Sequence, residues 1–168
     1  MVVLVELIRL IELVGSMPSA ILAVLAKLIP KIKAASIMYR SISLFPSFYR
    51  LWSRCRQSEA RRWEQSHRDP MVGHQGGRSI MEIVFLQALR AESGQLARRK
   101  LHTGVFLWDL SNFYESICRT KLWERAKAMR FNRVVMAIAL NMYAARRFLG
   151  LGQLVVDCGF PKHGIGAG

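Results

Sequence analysis

The apolar run at residues 104–110, GVFLWDL, constrains the fold of this chain more than any other feature of its sequence. Its length and its bulky side chains are typical of a β-strand. An acidic residue, Asp109, stands near the end of this run, where an unpaired carboxylate would be costly to bury. A carboxylate in such a position holds a metal ion, pairs with a base or caps the next helix. We therefore expect a sheet with Asp109 at the end of a central strand, in one of these three roles.

The rest of the chain shows mainly helical periodicity. Helices are predicted at residues 2–14, about 18–26, 47–66, 78–99, 116–129 and 133–148. Strands are predicted at residues 27–31, 37–44 and 154–156, and a glycine-rich loop at residues 67–77. The order of these elements predicts a helix-rich α+β fold, with a few short strands between helical blocks. The sequence contains no internal repeat and no linker that would separate two domains. We therefore expect a single domain over residues 1–168.

The first 30 residues are very apolar, but they do not predict a membrane span. Glu6, Arg9 and Glu12 interrupt the first apolar run at helical spacing. The longest uncharged stretch, residues 13–26, is shorter than the roughly 20 residues that cross a bilayer, and no basic segment precedes it as in a secretory signal. Three widely spaced cysteines indicate reduced thiols. We expect an intracellular protein that is not secreted and has no transmembrane segment, with the nucleus as a compatible location.

The chain is strongly basic, and most of its bases are arginines. It carries 25 Lys plus Arg against 11 Asp plus Glu, a formal net charge of +14 at pH 7. Such an excess of positive charge favours a polyanionic partner, either nucleic acid or an acidic membrane surface. The forked guanidinium of arginine also suits bidentate contact with phosphate. The predicted helix at residues 47–66 is rich in arginines and aromatic residues, a composition that predicts contacts with phosphates and stacking on bases. The residues concerned are Arg50, Arg54, Arg61, Arg62, Tyr49, Trp52 and Trp63.

The segment around the apolar run resembles a known motif. Residues 106–117, FLWDLSNFYESI, resemble motif A of reverse transcriptases, an apolar palm strand with an Asp and an aromatic residue five positions later. The resemblance implies that Asp109 is catalytic and binds two Mg²⁺ ions with the backbone carbonyl of Leu110, in line with the preference of Mg²⁺ for oxygen ligands. It also implies that Tyr114 packs beneath the deoxyribose of the dNTP and excludes a 2′-hydroxyl. From the residues alone, Tyr114 is equally compatible with an ordinary core position.

A second resemblance lies in the region of the first predicted strands. Residues 28–52, LIPKIKAASIMYRSISLFPSFYRLW, resemble the fingers signature of retrotransposon and group II intron enzymes. The match covers residues 29–31 (IPK) and 40–44 (RSISL), with Ser41 in place of the family's usual proline. By this resemblance, Lys31 and Arg40 hold the triphosphate of the incoming dNTP, a role that suits an ammonium and a guanidinium. We expect the segments 27–31 and 37–44 to form a pair of neighbouring strands.

Two further segments follow the order of the family. Residues 73–92, GHQGGRSIMEIVFLQALRAE, resemble the glycine-rich loop and long helix before motif A, where Arg78 either contacts template or phosphate or only caps the helix. Residues 159–168, GFPKHGIGAG, are similar to the approach to motif B, the glycine-containing turn that positions the template base. The paired aspartates of the family's aromatic-x-Asp-Asp hairpin are not among the 168 residues. The remaining late acid, Asp157, has a context typical of a strand end or turn.

The resemblance implies a partial reverse-transcriptase domain of a right-hand polymerase, with residues of about 1–100 in the fingers and about 101–168 in the first part of the palm. The complete enzyme would use Mg²⁺, dNTP, an RNA template and a DNA primer or product. With one of the three catalytic carboxylates, this chain is expected to be inactive alone. A basic nucleic-acid-binding module without catalysis is the second interpretation, and a peripheral membrane protein that uses the apolar N-terminus is the third. No motif indicates the oligomeric state.

Overall fold

The computed structural model describes residues 2–33, 36–67, 80–96 and 113–166. The chain divides into two compact units, the first of Met1–Arg56 with Ser111–Gly168 and the second of Gln57–Leu110. In chain order the described elements are α1 (Val2–Val14), a 3₁₀ turn (Ser19–Ile21), β1 (Ala23–Lys33), β2 (Ser36–Leu44), α2 (Ser47–Ser66), α3 (Ile80–Leu96), α4 (Phe113–Ser116), α5 (Arg119–Ala128), α6 (Arg133–Tyr143), β3 (Arg146–Leu151) and β4 (Leu154–Asp157). The predicted helix-rich α+β class is confirmed. None of the helices within these ranges is long and apolar enough to cross a membrane.

Within the described residues, the strands of the first unit form a four-stranded mixed sheet in the order β2-β1-β3-β4. Strands β1 and β2 make an antiparallel hairpin in which Lys27 pairs with Ile42 and Ile29 pairs with Arg40. This hairpin confirms the predicted pairing of segments 27–31 and 37–44. Strand β1 also pairs in parallel with β3, which turns back into the antiparallel β4.

The two faces of the hairpin differ in burial. Val24, Ala26 and Ser43 are buried, and Ala26 lies opposite Ser43 in the register. Lys27 and Arg40, which have the opposite parity along their strands, are exposed. Because side chains alternate between the two faces of a strand, one face of the hairpin packs on the core and the other presents its charged residues to solvent.

The core of the first unit joins α1, β1, α2 and α6. Ile138 and Met142, one turn apart on α6, are fully buried, as are Val24 and Trp52. Burying each such side chain stabilises the fold by roughly 1.5–3 kcal/mol. Tyr49 belongs to the same cluster, with its ring centroid 5.7 Å from that of Trp52. The prediction that Tyr49 and Trp52 stack on bases is therefore wrong, because the core encloses both rings.

Helix α1 is attached to this core along a narrow strip. Ile11 is buried, while Glu12 accepts a hydrogen bond from the indole Nε1–H of Trp52 at 2.9 Å and forms an ion pair with Arg56. Burial alone would raise the pKa of Glu12, but the hydrogen bonds from Arg56 and Trp52 outweigh it and hold the pKa below its usual value. Outside the strip, apolar side chains such as Val3 are exposed. The predicted helix at residues 2–14 is confirmed.

Local sequence signals explain the start of α6 and the end of α1. The side chain of Asn132 caps α6, since its Oδ1 accepts hydrogen bonds from the backbone N–H of Val134 at 2.8 Å and of Val135 at 3.2 Å. Gly15 ends α1 with a φ of 72°, and its N–H donates to the carbonyl oxygen of Ile11 at 2.8 Å. A glycine in the left-handed region is a common helix terminator.

Three helix predictions differ from the structure. Residues 18–26 form no α-helix. The 3₁₀ turn ends at Ile21 and β1 begins at Ala23, where pairing with β3, joined by pairing with β2 from Leu25, outweighs the local helical pattern. The helix predicted at residues 133–148 ends at Tyr143, and the chain joins β3 from Arg146. The helix predicted at residues 116–129 begins later, as α5, after the separate turn of α4.

The remaining element predictions are confirmed where the structure describes them. Helix α2 matches the predicted residues 47–66, α3 lies within the predicted residues 78–99, and β4 contains the predicted strand at residues 154–156. The strand predicted at residues 104–110 and most of the loop predicted at residues 67–77 lie outside the described residues.

Candidate functional site

A glycine-rich turn, residues 159–166, is bound to the last residues of the segment that resembles motif A. The backbone N–H of Gly164 donates to the carbonyl oxygen of Ile117 at 2.9 Å, and the N–H of Ile165 donates to that of Tyr114 at 2.8 Å. Gly164 has a φ of 85°, and a Cβ there would lie 2.8 Å from the Cα of Glu115. Only glycine accommodates both the backbone conformation and the close approach. The turn is therefore fixed by direct backbone contact.

The same turn reaches the end of strand β2. A Cβ at Gly166 would lie 2.6 Å from Cζ of Phe45 and 3.0 Å from Cβ of Ser43, so the backbone passes close to both residues. Residues 43–45, 114–117 and 164–166 are far apart in the sequence and meet within the first unit. They belong to the three segments that resemble the fingers signature, motif A and motif B.

Arg119, the first residue of α5, holds the turn with its side chain. Its Nη2 donates to the carbonyl oxygens of Pro161 at 2.7 Å and Lys162 at 3.1 Å. Its Nη1 donates to the carbonyl oxygen of Gly164 at 3.1 Å and, at 3.5 Å, to that of Tyr143. Hydrogen bonds from a charged donor are stronger than those between neutral groups. The turn is thus held on one side by the backbone of residues 114–117 and on the other by this guanidinium.

Aromatic side chains next to the turn connect β2, α2 and α6. The ring centroid of Phe45 lies 5.3 Å from that of Tyr49 and 6.0 Å from that of Tyr143. Burial raises the pKa of the Tyr49 phenol and of the Tyr143 phenol. Both groups therefore stay neutral near pH 7, and their role is to support the fold beneath the turn.

The surroundings of the turn are basic. Lys162 is exposed at the turn itself. The pKa of Arg147 is lowered by burial and by the nearby charge of Arg119, against a smaller opposing effect of Glu115. A second guanidinium close to Arg119 makes this part of the first unit attractive to an anion.

Asp157, the late acid in the sequence, forms a strand-end turn, as its context predicted. It is the last residue of β4, and its Oδ1 accepts a hydrogen bond from the backbone N–H of Gly159 at 2.9 Å. Its carboxylate also forms an ion pair with Arg146. These two hydrogen-bond donors lower the pKa of Asp157, the N–H of Gly159 having the larger effect. Asp157 therefore stabilises the entry into the glycine-rich turn.

Three of the predicted dNTP-binding residues belong to the described part of the first unit. In the hairpin, Lys31 pairs with Met38 and Ile29 pairs with Arg40, so positions 31 and 40 are diagonal neighbours. The side chain of Arg40 is exposed. Tyr114 stands on α4 beside the glycine-rich turn and is 48% exposed, which excludes the alternative of a buried core aromatic residue. The hairpin thus brings the two basic positions together, and Tyr114 borders the turn.

The other residues assigned by the resemblance to the site, Asp109, Leu110 and Arg78, lie outside the described residues. Within the ranges that the structure describes, no three His, Cys, Asp or Glu side chains are grouped closely enough to hold a metal ion. The Mg²⁺ ion remains an implication of the resemblance, through Asp109.

The arginines predicted to bind nucleic acid are all exposed on α2. Arg50 and Arg54 belong to the first unit, and Arg61 and Arg62 belong to the second. None of the four forms an ion pair with an acidic residue in the described part of the chain. In the second unit, one face of Trp63 is stacked on His67 at a ring-centroid distance of 4.6 Å. Exposed guanidinium groups of this kind are available to phosphates.

Sequence reasoning did not find Arg119. Its partners are backbone carbonyl oxygens, which every residue type carries, so no residue pattern marks the contact before the chain is folded. The glycine-rich segment at residues 159–168, in contrast, is predicted from the sequence as a glycine-containing turn.

No protein-family model matches this chain, and no curated protein is significantly similar to it. Its function is therefore inferred from the residues and the geometry of the first unit and of helix α2.

Proposed function

We propose that this chain is part of a reverse-transcriptase-like polymerase. It contributes the fingers hairpin and the first palm segments, and in the complete enzyme it positions the RNA template, the DNA primer and the dNTP for nucleotidyl transfer. The observation that carries the proposal is the meeting of residues 43–45, 114–117 and 164–166. Their proximity supports the proposal because a polymerase site needs the fingers, motif A and motif B at one place.

The proposed roles of the site residues agree with their exposure. Arg40 projects from a two-stranded hairpin into solvent, where a guanidinium can grip the phosphates of a nucleotide with paired hydrogen bonds. Lys31 is its diagonal neighbour in the backbone register. Tyr114 is exposed beside the glycine-rich turn and would contact the sugar of the nucleotide. Asp109, five positions before Tyr114, is the proposed catalytic carboxylate and Mg²⁺ ligand.

A second candidate function is nucleic-acid binding without catalysis. The observation that favours it is the exposure of four arginines along α2, which form no ion pairs with acidic residues of the described ranges. Exposed arginines of this kind would contact the phosphate backbone of any strand with little dependence on its sequence. This function requires neither Asp109 nor a nucleotide.

The two functions are separated by the effect of nucleotides on the binding of a fluorescent RNA–DNA primer–template. If the chain has the proposed fingers and motif A, the dNTP that matches the template should tighten its binding, because the nucleotide binds only to the complex. A mismatched dNTP, or the matched rNTP that Tyr114 would exclude, should not. Arg40→Gln should abolish the effect of the matched dNTP.

A suitable control is Arg133→Gln, which removes the same charge from an exposed position at the start of α6. It should leave the nucleotide effect intact. The polymerase proposal would fail if the matched dNTP changed nothing, and the binding module would then be the better description. Preference for anionic vesicles over the primer–template would favour a peripheral membrane protein instead.

A further inference from the structure

The side chain of Arg119 stands in an unusual electrostatic position. It is the first residue of α5, where the positive end of the helix dipole disfavours a cation. It also lies close enough to Arg147 to lower the pKa of that residue. Within the described residues no carboxylate forms an ion pair with Arg119, and its donors point at backbone carbonyl oxygens. A cation at this place does not help the helix, so its contribution must come from the turn that it holds.

The three contacts with the turn fix the backbone around the exposed Lys162. Arg119 donates to the carbonyl oxygens of Pro161, Lys162 and Gly164, so the carbonyl of Lys162 itself is one of its acceptors. The side chain of Lys162 is exposed. An exposed lysine normally loses much conformational freedom when it binds a phosphate, and a fixed backbone reduces that loss.

We propose that Arg119 is a positioning residue, which holds residues 161–164 so that Lys162 contacts the phosphate backbone of a bound nucleic-acid strand. The inference rests on the proposed function, in that the ligand is the strand that the polymerase or the binding module would hold. Arg119 does not touch the strand. It acts through Lys162, and the fork of its guanidinium is needed because two nitrogen atoms share several carbonyl oxygens.

The first arm of the test measures the turn directly, without a ligand. Hydrogen exchange of the Ile165 amide, which is bonded to the carbonyl oxygen of Tyr114, reports local opening of the turn, and the amide of Met136 on α6, which donates to the carbonyl oxygen of Asn132, reports the stability of the unit away from Arg119. Arg119→Gln should speed exchange at Ile165 by about tenfold or more, since several charge-assisted hydrogen bonds are lost. Exchange at Met136 should change much less. Arg125→Gln, an exposed change on the same helix, is the control and should affect neither amide.

The second arm is a double-mutant cycle on the binding of single-stranded RNA. Lys162→Gln should weaken binding by about three- to tenfold in the otherwise unchanged chain, the range expected for one exposed contact with phosphate. In the Arg119→Gln background, the same change should have almost no further effect, because Lys162 is no longer positioned. Arg119→Lys, which keeps the charge but not the fork, should restore little of the binding and little of the protection at Ile165.

The possible results of the exchange arm and of the double-mutant cycle have different consequences for the proposal. Additive losses in the cycle, or full rescue by Arg119→Lys, would mean that Arg119 contacts the strand itself, and the positioning role would be rejected. Unchanged exchange at Ile165 in Arg119→Gln would show that the turn does not depend on Arg119. If the unchanged chain bound no RNA, the proposed function and the role of Lys162 would both be rejected, while the exchange arm would still show whether Arg119 holds the turn.

Discussion

The carbonyl oxygen of Tyr114 accepts a hydrogen bond from the backbone N–H of Ile165 at 2.8 Å. The backbone of Tyr114 is therefore tied to the glycine-rich turn, while its ring remains 48% exposed. A side chain on a fixed backbone loses less freedom when it meets a ligand than one on a mobile loop. This bond joins the residue proposed to face the sugar of a nucleotide to the turn proposed to face the nucleic-acid strand.

Substitution of Gly164 should break this connection. In Gly164→Ala the new Cβ would lie 2.8–2.9 Å from backbone atoms of Glu115 and Tyr114, at a φ of 85° that alanine rarely adopts. Left-handed backbone costs about 1–2 kcal/mol for a residue with a Cβ, and overpacking adds about 1–3 kcal/mol. We expect the free energy of unfolding, measured with urea, to fall by about 2–5 kcal/mol.

Gly152 provides a matched control. It also has a positive φ, 60°, but a Cβ there would meet no atom within 4 Å. Gly152→Ala should therefore lose only the backbone term of about 1–2 kcal/mol. Equal losses for the two variants would mean that the close approach at Gly164 does not exist in solution.

The stability of the first unit should depend on pH through Glu12. Its hydrogen bonds with Arg56 and Trp52 hold its folded pKa below the usual value, so the unfolded chain binds the proton more readily. The stabilisation is therefore present above the unfolded pKa, about 4.3, and is lost as the pH falls through the lower folded pKa. We expect urea unfolding between pH 6 and about pH 3 to show this loss, and Glu12→Gln to remove part of the pH dependence.

Glu6→Gln is the control for this titration. Glu6 forms an exposed ion pair at 2.8 Å with Arg9, three residues later on α1. Exposed pairs of this kind contribute little to stability. A pH dependence that changed as much with Glu6→Gln as with Glu12→Gln would contradict the account of Glu12.

The strands and helices that could be predicted from the sequence are those with a strong local period. Helix α1 and helix α2 match their predicted bounds, because their sequences carry helical periodicity without a competing partner. The start of β1 could not be predicted in the same way. Residues 23–26 have the pattern of the end of a helix, yet all four pair with β3, and residues 25 and 26 also pair with β2. The partner β3 is more than 100 residues away in the chain, and no local pattern contains that information.

The candidate site likewise has features that could be predicted from the sequence and features that could not. The glycine-rich turn could be predicted, because glycine and proline recur in residues 159–168 and mark turns. The burial of Tyr49 and Trp52 was not, because an arginine-rich amphipathic helix has the same composition whether its aromatic residues face a core or a ligand. Arg119 left no signal, since it binds carbonyl oxygens and not side chains.

Nucleic-acid binding should depend strongly on salt through the exposed arginines of α2. Each phosphate contact on a single strand contributes about 0.7 to the slope of log K against log salt. Replacing all four of Arg50, Arg54, Arg61 and Arg62 by Gln should therefore lower the magnitude of that slope by up to about 3, as measured by fluorescence anisotropy with RNA of mixed sequence.

The control for this set removes the same charge from another exposed region. Arg125, Lys127, Arg130 and Arg133 lie at the end of α5 and the start of α6, and all are exposed. Their replacement by Gln should lower the slope much less. If the two fourfold variants behaved alike, the chain would respond to its net charge only, and no binding surface could be assigned to α2.

The 168-residue chain should not extend a primer by itself, although it should bind one. The resemblance assigns a single catalytic carboxylate, Asp109, to these residues, whereas phosphoryl transfer by polymerases uses several carboxylates to hold two metal ions. A version continued through an aromatic-x-Asp-Asp hairpin should incorporate dNTPs on an RNA template with Mg²⁺, and Asp109→Asn should abolish that activity. Asp157→Asn is the matched control, because the structure gives Asp157 a role with Arg146 and Gly159 at a strand end. It should keep most of the activity. Extension by the 168-residue chain, lost in Asp109→Asn, would show that the active site is complete within these residues and has been assigned incorrectly.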